Sequence, residues 1–337
     1  MKRNIRWIFV IAVLFLALAG VSLLSLCTGA AAIPPGRILT ILFTDDGSTF
    51  RSILVDIRIP RLILGFSVGG ALSLAGVILQ GTFRNNLVEP YTLGISGGAA
   101  LGVSVAAIMG LGHMLGVYAQ PAAGFAGSLL VILFLYLMNA SRGALKAPSL
   151  LLTGVMVSFI SSSFVLLIMS ISRTEQLHDI LFWIIGSLGE ADWILVKFSL
   201  FVTLSGLAVS YLFCVDLNAL ALGEDEALHL GVNVERTKQS VLVVASLLAG
   251  VSVSISGVIG FVGLVVPHFV RMWVGVDHRI VMIASFLSGA IFLILCDTAA
   301  KTLVMPMELP VGVITGILGG ILFIYALTKK ELSLGRQ

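Results

Sequence analysis

Apolar stretches close to twenty residues long follow one another almost without pause. They lie near 7–27, 60–82, 91–110, 115–138, 148–171, 194–213, 239–256, 258–271, 280–301 and 311–328. About 20 apolar helical residues cross the hydrocarbon core of a bilayer, so this succession admits little besides a bundle of membrane-spanning helices. Of the 337 residues, 58% are hydrophobic and only 11% charged, too few charges to cover the surface of a water-soluble domain. The expected fold is an all-α integral membrane protein of about ten transmembrane helices, built as a single domain over 1–337. The eighth stretch is too short to cross by itself, and Gly257, Gly260 and Gly263 suit it to close packing. Pro60, Pro90, Pro121, Pro148, Pro267 and Pro310 fall near the ends of stretches, where a missing N–H costs least.

The cations orient this map. With the N-terminus in the cytoplasm, Lys2, Arg3, Arg6, Arg84, Arg142, Lys146, Arg236, Lys238, Arg271, Arg279, Lys329, Lys330 and Arg336 lie inside. Only Arg37, Arg51, Arg58, Arg61, Arg173, Lys197 and Lys301 lie outside. The opposite orientation would violate the positive-inside rule, so both termini are expected in the cytoplasm and the chain in the cytoplasmic membrane. The start, with Lys2, Arg3 and Arg6 before the apolar run Trp7–Leu26, resembles a cleavable leader. Its length and the many later spans favour a retained first helix. The net charge of +3 is too small to suggest nucleic acid. Cys27, Cys214 and Cys296 lack metal-ligand spacing and read as small packing residues.

One segment interrupts the apolar pattern. Leu217–Lys238, LNALALGEDEALHLGVNVERTK, is a charged island between two spans, and it reads as two short helices. Glu224, Asp225 and Glu226 crowd the first turn of one, where negative charge suits the helix dipole. Gly231 stands where a C-terminal cap belongs, Asn233 can cap the next start, and Arg236 and Lys238 lead into the following span. Such an element is either a solvated connector or a handle for a soluble partner.

Further blocks bear on that choice. They are RIPR at Arg58–Arg61, GGALSLAGVILQGTFRNNLVEPYTLGISGGAALG at Gly69–Gly102, SGVIGFVGLVVPHFVRMWVGVDHR at Ser256–Arg279 and ELPVGVITGILGG at Glu308–Gly320. With the island, and in this order over roughly 55–328, they resemble the FecCD family, the permease subunits of ABC importers for iron–siderophore complexes, haem and cobalamin. The resemblance implies a short cytoplasmic coupling-helix pair that docks the ATPase, here Leu222, Gly223, Glu224, Asp225, Ala227, Leu230, Gly231 and Val232. It implies a homodimer or paired permease, two ATP-binding cassette subunits below, and an extracytoplasmic substrate-binding protein above. Membrane lipid surrounds the assembly. No nucleic acid, cofactor, metal site or catalytic residue is expected.

The outer cations Arg58 and Arg61 share a face at i, i+3, and Asp297 precedes Lys301 in the favourable i, i+4 order. By themselves they read as headgroup anchors. In the family, basic residues at these matching positions meet acidic residues on the binding protein. Lysine at 301, where arginine is common, keeps the charge but not the bidentate fork. Asn85, Asn86 and Leu87 match the turn that forms the family's cytoplasmic gate. Asn86 stands where proline is usual, which loosens the turn. The residues themselves read as a polar turn with Asn85 capping the next helix. Ser158, Ser161 and Ser162 share a helix face that either lines a wet path or permits close packing; the family's pathway runs beside this helix. In the outer loop Arg173–Asp192, Glu175, His178, Asp179, Glu190 and Asp192 read mostly as solvated.

Rival classes lack their marks. No lysine follows a glycine as a phosphate-binding loop requires, so ATP would be bound by another chain. His268 and His278 have no metal-ligand spacing and read as structural. An ion-coupled secondary transporter or channel would bury acids in mid-span, and Asp297 is the nearest case. The expected activity is alternating access without covalent chemistry, driven by ATP hydrolysis in a partner. Cobalamin or haem import on the same architecture is the alternative to an iron–siderophore.

Overall fold

The computed structural model describes residues 2–29, 31, 33–43, 49–140 and 147–334. Arg142, Lys146 and Arg336, counted above among the cytoplasmic cations, lie outside the described residues. Among those described the regular structure is all helical, with no strand. Helix α1 (Lys2–Cys27) is followed by α2 (Pro35–Phe43) and α3 (Thr49–Ser52), which runs through a π-helical stretch, Ile53–Arg58, into α4 (Ile59–Phe83). A 3-10 turn at Pro90–Leu93 precedes α5 (Ile95–Ile108). Then come α6 (Gly112–Leu115), α7 (Ala119–Ala140), α8 (Ala147–Ile171), α9 (Thr174–Ile185) and α10 (Trp193–Leu212). The short helices α11 (Cys214–Leu222) and α12 (Glu224–His229) lead to α13 (Val234–Ser256), α14 (Val262–Val274), α15 (His278–Ala300) and α16 (Val311–Leu334).

Seven helical stretches are long and apolar enough to cross a bilayer, and Ile95–Ile108, Val262–Val274 and Val311–Ala326 are apolar but shorter. Together they correspond one for one to the ten stretches read from the sequence. The differences are local. The third stretch does not run unbroken from 91, because Pro90–Leu93 forms a 3-10 turn and the helix restarts after Gly94. The eighth begins only at Val262. Gly257 and Gly263 do lie against neighbouring backbone, but a Cβ on Gly260 would meet nothing within 4 Å. The segment Arg173–Asp192 is not plain loop. It folds into α9, whose start is closed by the Gln176 side chain accepting from the Arg173 N–H at 3.1 Å.

The interior is built on α4 and α15, most of whose residues are buried, with α13 beside them. Their mutual surface is lined by small residues. Gly69 and Gly289 lie backbone to backbone, so that a Cβ on Gly69 would fall 2.4 Å from the Gly289 carbonyl oxygen. Close approach of this kind holds helices together in lipid, where apolar surface alone favours no partner. α1 is apolar on its far side too: Ile8, Phe9 and Leu16 are exposed, as lipid-facing side chains must be. Several buried hydroxyls close on the helix that carries them, as Ser67 does on the Ile63 carbonyl at 2.8 Å and Thr82 on Ile78 at 2.8 Å.

The polar ends of the bundle separate into two sets. Arg6 donates to the Trp273 carbonyl, so the start of α1, the end of α14 and, through Asn218, α11 share one end. At the other end Ser187 N–H donates to Ser256 O at 2.9 Å and Gly312 N–H to Gly186 O at 3.3 Å, which joins the end of α9 to the end of α13 and the start of α16.

Candidate functional site

At the first end the charged island is an ordered element. Gly223 separates α11 from α12 at φ 146, ψ 157, a conformation essentially reserved for glycine. Three acids then open α12. The helix stops in a full Schellman motif: Gly231, at φ 85, donates to the Leu228 carbonyl at 2.9 Å, and Val232 donates to Ala227 at 3.0 Å. Asn233 accepts from the Arg236 N–H at 3.1 Å and starts α13. The two short helices are therefore α11 and α12, and not α12 with a second short helix starting at Asn233. Beyond Gly231 the chain enters the span itself, because no glycine or proline breaks the sequence between Val234 and Ala249.

Side chains fasten this element to the bundle. Lys238, in the second turn of α13, is buried and lies 2.6 Å from Glu224. Thr237 donates to Asp216 at 3.3 Å. Asn218 donates to Asp277 at 2.9 Å and accepts from the His278 backbone N–H at 2.8 Å. Burial pulls the Asp277 carboxyl up, but the Asn218 amide, the Arg279 N–H and the charges of Arg279 and Arg3 outweigh it and hold it below the ordinary value. Ala227 is fully buried and positions α12 from beneath, whereas Leu222, Leu228 and Leu230 are exposed. Behind them an open notch of about 560 Å³ is lined by Glu224, Leu228, Val232, Glu235 and Lys238.

Asn85–Leu87 lies at the same end. α4 ends with Arg84 in the left-handed region at φ 49. Asn85 accepts from the Leu87 N–H at 2.9 Å, so it closes its own turn rather than capping the next helix, whose start is occupied by Glu89 and Pro90. Asn86 and Leu87 are exposed. The buried Gln80 amide donates to Val88 at 3.2 Å and Gly263 at 3.1 Å, tying this turn to α14. Arg271 reaches both the Gln80 side-chain oxygen and, at 3.4 Å, that of Asn86. Asn86 thus gains a tether that a proline could not accept. Glu89 accepts from the Phe261 N–H, the residue that opens α14 in a left-handed conformation at φ 67.

At the opposite end the three predicted cations come together, but beneath the surface. Arg61 holds Asp297 through Nε at 2.9 Å and Nη2 at 2.8 Å, and Glu308 through Nη1 at 2.6 Å. Lys301 lies 3.4 Å from Asp297, the expected i, i+4 pair, and donates to Ser25 Oγ on α1 at 3.0 Å. Arg58 donates to the Leu26 and Ala31 carbonyls. Arg58, Arg61 and Lys301 are each less than a tenth exposed, so they are not free surface charges; Glu308, 55% exposed at its side chain, is the open member. The π-helical turn ending at Arg58 aims that side chain inward, toward the end of α1.

The serine face divides. Gly97 of α5 sits against Ser158 Cα and Ser161 Cβ, each 3.2 Å from where its Cβ would be, so these two serve close packing. Ser162 is exposed. Sequence reasoning missed Asn218, Lys238 as the partner of Glu224, Gln80 with Arg271, Glu89, and Glu308. Most of these join elements far apart in the chain, and no spacing rule reaches any of them. A lone buried amide such as Gln80 in an apolar run was the one available signal.

These features can be set beside known proteins. The profile of the FecCD transport family matches residues 12–329. The hemin transport system permease protein HmuU of Yersinia pestis is 38% identical over 294 residues, covering 87% of this chain and 88% of that one. The vitamin B12 import system permease protein BtuC of Salmonella paratyphi A is 36% identical over 331 residues, covering 98% and 97%. A solved metal-chelate type ABC transporter in an inward-facing conformation superposes with a TM-score of 0.84 at 30% identity, covering 95% of this chain and 98% of that one. A bundle of apolar helices with a capped polar element at one end and a buried charge cluster at the other, matched over nearly its whole length, places the chain in the FecCD transport family.

Proposed function

We propose that this chain is the permease subunit of a binding-protein-dependent ABC importer that carries a metal chelate, an iron–siderophore, haem or cobalamin, inward across the cytoplasmic membrane. The observation that carries the reading is the α11–α12 element. It stops in the Schellman motif at Gly231, is ion-paired to the next span, and presents three exposed leucines with an acidic rim beside an open notch. A connector has no need of such order.

In this reading two permease copies flank a central path and two ATPase subunits grip α12 from the cytoplasm. Their closure on ATP moves α11 and α12, and the bundle alternates between outward and inward access. Asn85, Asn86 and Leu87 form the cytoplasmic gate, and Ser162, with Ser158 and Ser161 behind it, faces the path. A binding protein docks over Arg58, Arg61 and Lys301. Because these are buried, its carboxylates compete with the exposed Glu308 for Arg61 rather than meeting free cations. The ion-coupled alternative is disfavoured because Asp297, the nearest case of a mid-span acid, lies toward the end of α15 and is ion-paired with both Arg61 and Lys301.

The test is reconstitution of the chain with its ATPase and binding protein in proteoliposomes. ATP-dependent accumulation of haem, cobalamin or a ferric siderophore supports the reading. Uptake driven by an ion gradient in the absence of ATP would sink it.

A further inference from the structure

Helices α4 and α15 run antiparallel and touch at three depths. At the coupling end the His278 ring lies on Gly81, where a Cβ would come within 2.6 Å of Nε2. In the middle Gly69 meets Gly289, and the Phe286 ring lies 2.6 Å from where a Gly70 Cβ would be. At the docking end Arg61 of α4 grips Asp297 of α15 at 2.8 Å. The span from His278 to Asp297 is about 28 Å at about 1.5 Å per residue. Contacts at van der Waals distance leave no slack, so the pair moves as one body.

α11 packs against both helices, with Leu217 and Leu220 buried, and one of its side chains makes the hydrogen bonds that join it to the start of α15. The Asn218 oxygen accepts from the His278 backbone N–H and faces His278 Nδ1, both at 2.8 Å, while its nitrogen donates to Asp277 at 2.9 Å. An amide oxygen only accepts, so Nδ1 carries the ring proton. Nε2 is then bare, and it is buried without a partner against Gly81. One amide therefore closes the first turn of α15 with both its oxygen and its nitrogen. Asp277 is in turn the cap of that helix through the Arg279 N–H at 3.1 Å.

We propose that α4 and α15 form a through-membrane strut between the ATPase and the binding protein, and that Asn218 is the positioning residue that joins α11 to it. The proposal rests on the importer reading above and goes further, naming the path by which the two partners sense one another. Movement of α11 shifts the start of α15. The strut carries the shift to Asp297, and with it Arg61, Glu308 and Lys301.

The test uses the assembled wild-type complex in nanodiscs beside Asn218→Leu. Pull-down of the ATPase, affinity for the binding protein, and binding-protein-stimulated ATP hydrolysis are measured. The expected result is association with both partners within about twofold of wild type and at least a tenfold loss of stimulation. Asn218→Asp keeps both acceptor contacts to His278 but sets a carboxylate against Asp277, and stimulation falls again. Adding Asp277→Asn restores the donor from the other side and returns stimulation toward wild type. A purely structural bond would instead lower thermal stability and both associations together, which overturns the proposal. So does full stimulation in Asn218→Leu and Asn218→Asp. If the wild-type complex itself shows no stimulation, the importer reading fails first and this inference with it.

Discussion

Lys238 lies 2.6 Å from Glu224, across the turn that separates α12 from α13. The lysine is 7% exposed at its side chain and the glutamate 49%, so the pair pins the first turn of α12 to the body of the next span. The acidic start of α12 is thus more than a dipole match. One of its three acids is committed inward, and Asp225 and Glu226 remain for the outer rim.

Glu224→Lys is expected to leave Lys238 buried beside a second cation. Removing one partner of a buried pair costs about 3–5 kcal/mol, and the half-exposed glutamate puts this case at the lower side. Insertion should be normal while ATPase pull-down fails. Glu224→Gln keeps a hydrogen bond and should fall between. Wild-type pull-down for Glu224→Lys would mean that the pair does not shape the docking surface.

Gly231→Val is expected to weaken the stop of α12 by conformation alone. A Cβ there meets nothing within 4 Å, yet φ is 85. A left-handed residue costs about 1–2 kcal/mol, more when β-branched. ATPase association should fall, Gly231→Asn should be milder, and binding-protein affinity should be unchanged. Equal association for valine and asparagine variants would reject the argument from backbone conformation.

Arg61→Met is expected to lower thermal stability in detergent strongly, since Asp297 would remain buried with only Lys301 at 3.4 Å. The scale is again about 3–5 kcal/mol. The triple variant Arg61→Met/Asp297→Leu/Lys301→Met, which removes the buried charges together, should recover most of the loss, and the coupling among the sites would appear as non-additivity. Because the group is buried, added salt should change little. A small loss that salt abolishes would restore the picture of an exposed pair.

Asp277 supplies a pH prediction. Its folded value lies below the ordinary 3.8, so its contribution is complete above that value and is lost only as pH falls through the lower folded value. The stability difference between wild type and Asp277→Asn should be constant from pH 8 to pH 5 and shrink only in stronger acid. A difference that already collapses near pH 6 would show that another group controls the clamp.

Much of the fold was legible in the chain. Hydropathy marks each span, because the bilayer demands a fixed length of apolar helix. Local caps were legible too. Gly231 and Asn233 act within a few residues, and so does the i, i+4 pair of Asp297 and Lys301. The reading of Asn85 as a helix cap failed because the next helix starts with Pro90 behind Glu89, which leaves Asn85 only its own turn. The reading of 231–238 as the entry to a second short helix failed because nothing in the sequence stops α13.

By itself, then, the sequence determined what depends on local chemistry: the succession of apolar stretches, the polar island, its glycine breaks and the family blocks. Only the tertiary structure decided which of these groups face a partner and which face each other. Arg61 reads the same along the chain whether it meets solvent or Asp297, and Glu224 reads the same whether free or closed on Lys238. Asn218, an unremarked amide in a nine-residue helix, becomes the link to α15 only because α11 is laid against the turn at Asp277. Burial and pairing are set by helices far apart in the chain packing at van der Waals distance, and no local pattern of residues encodes that distance.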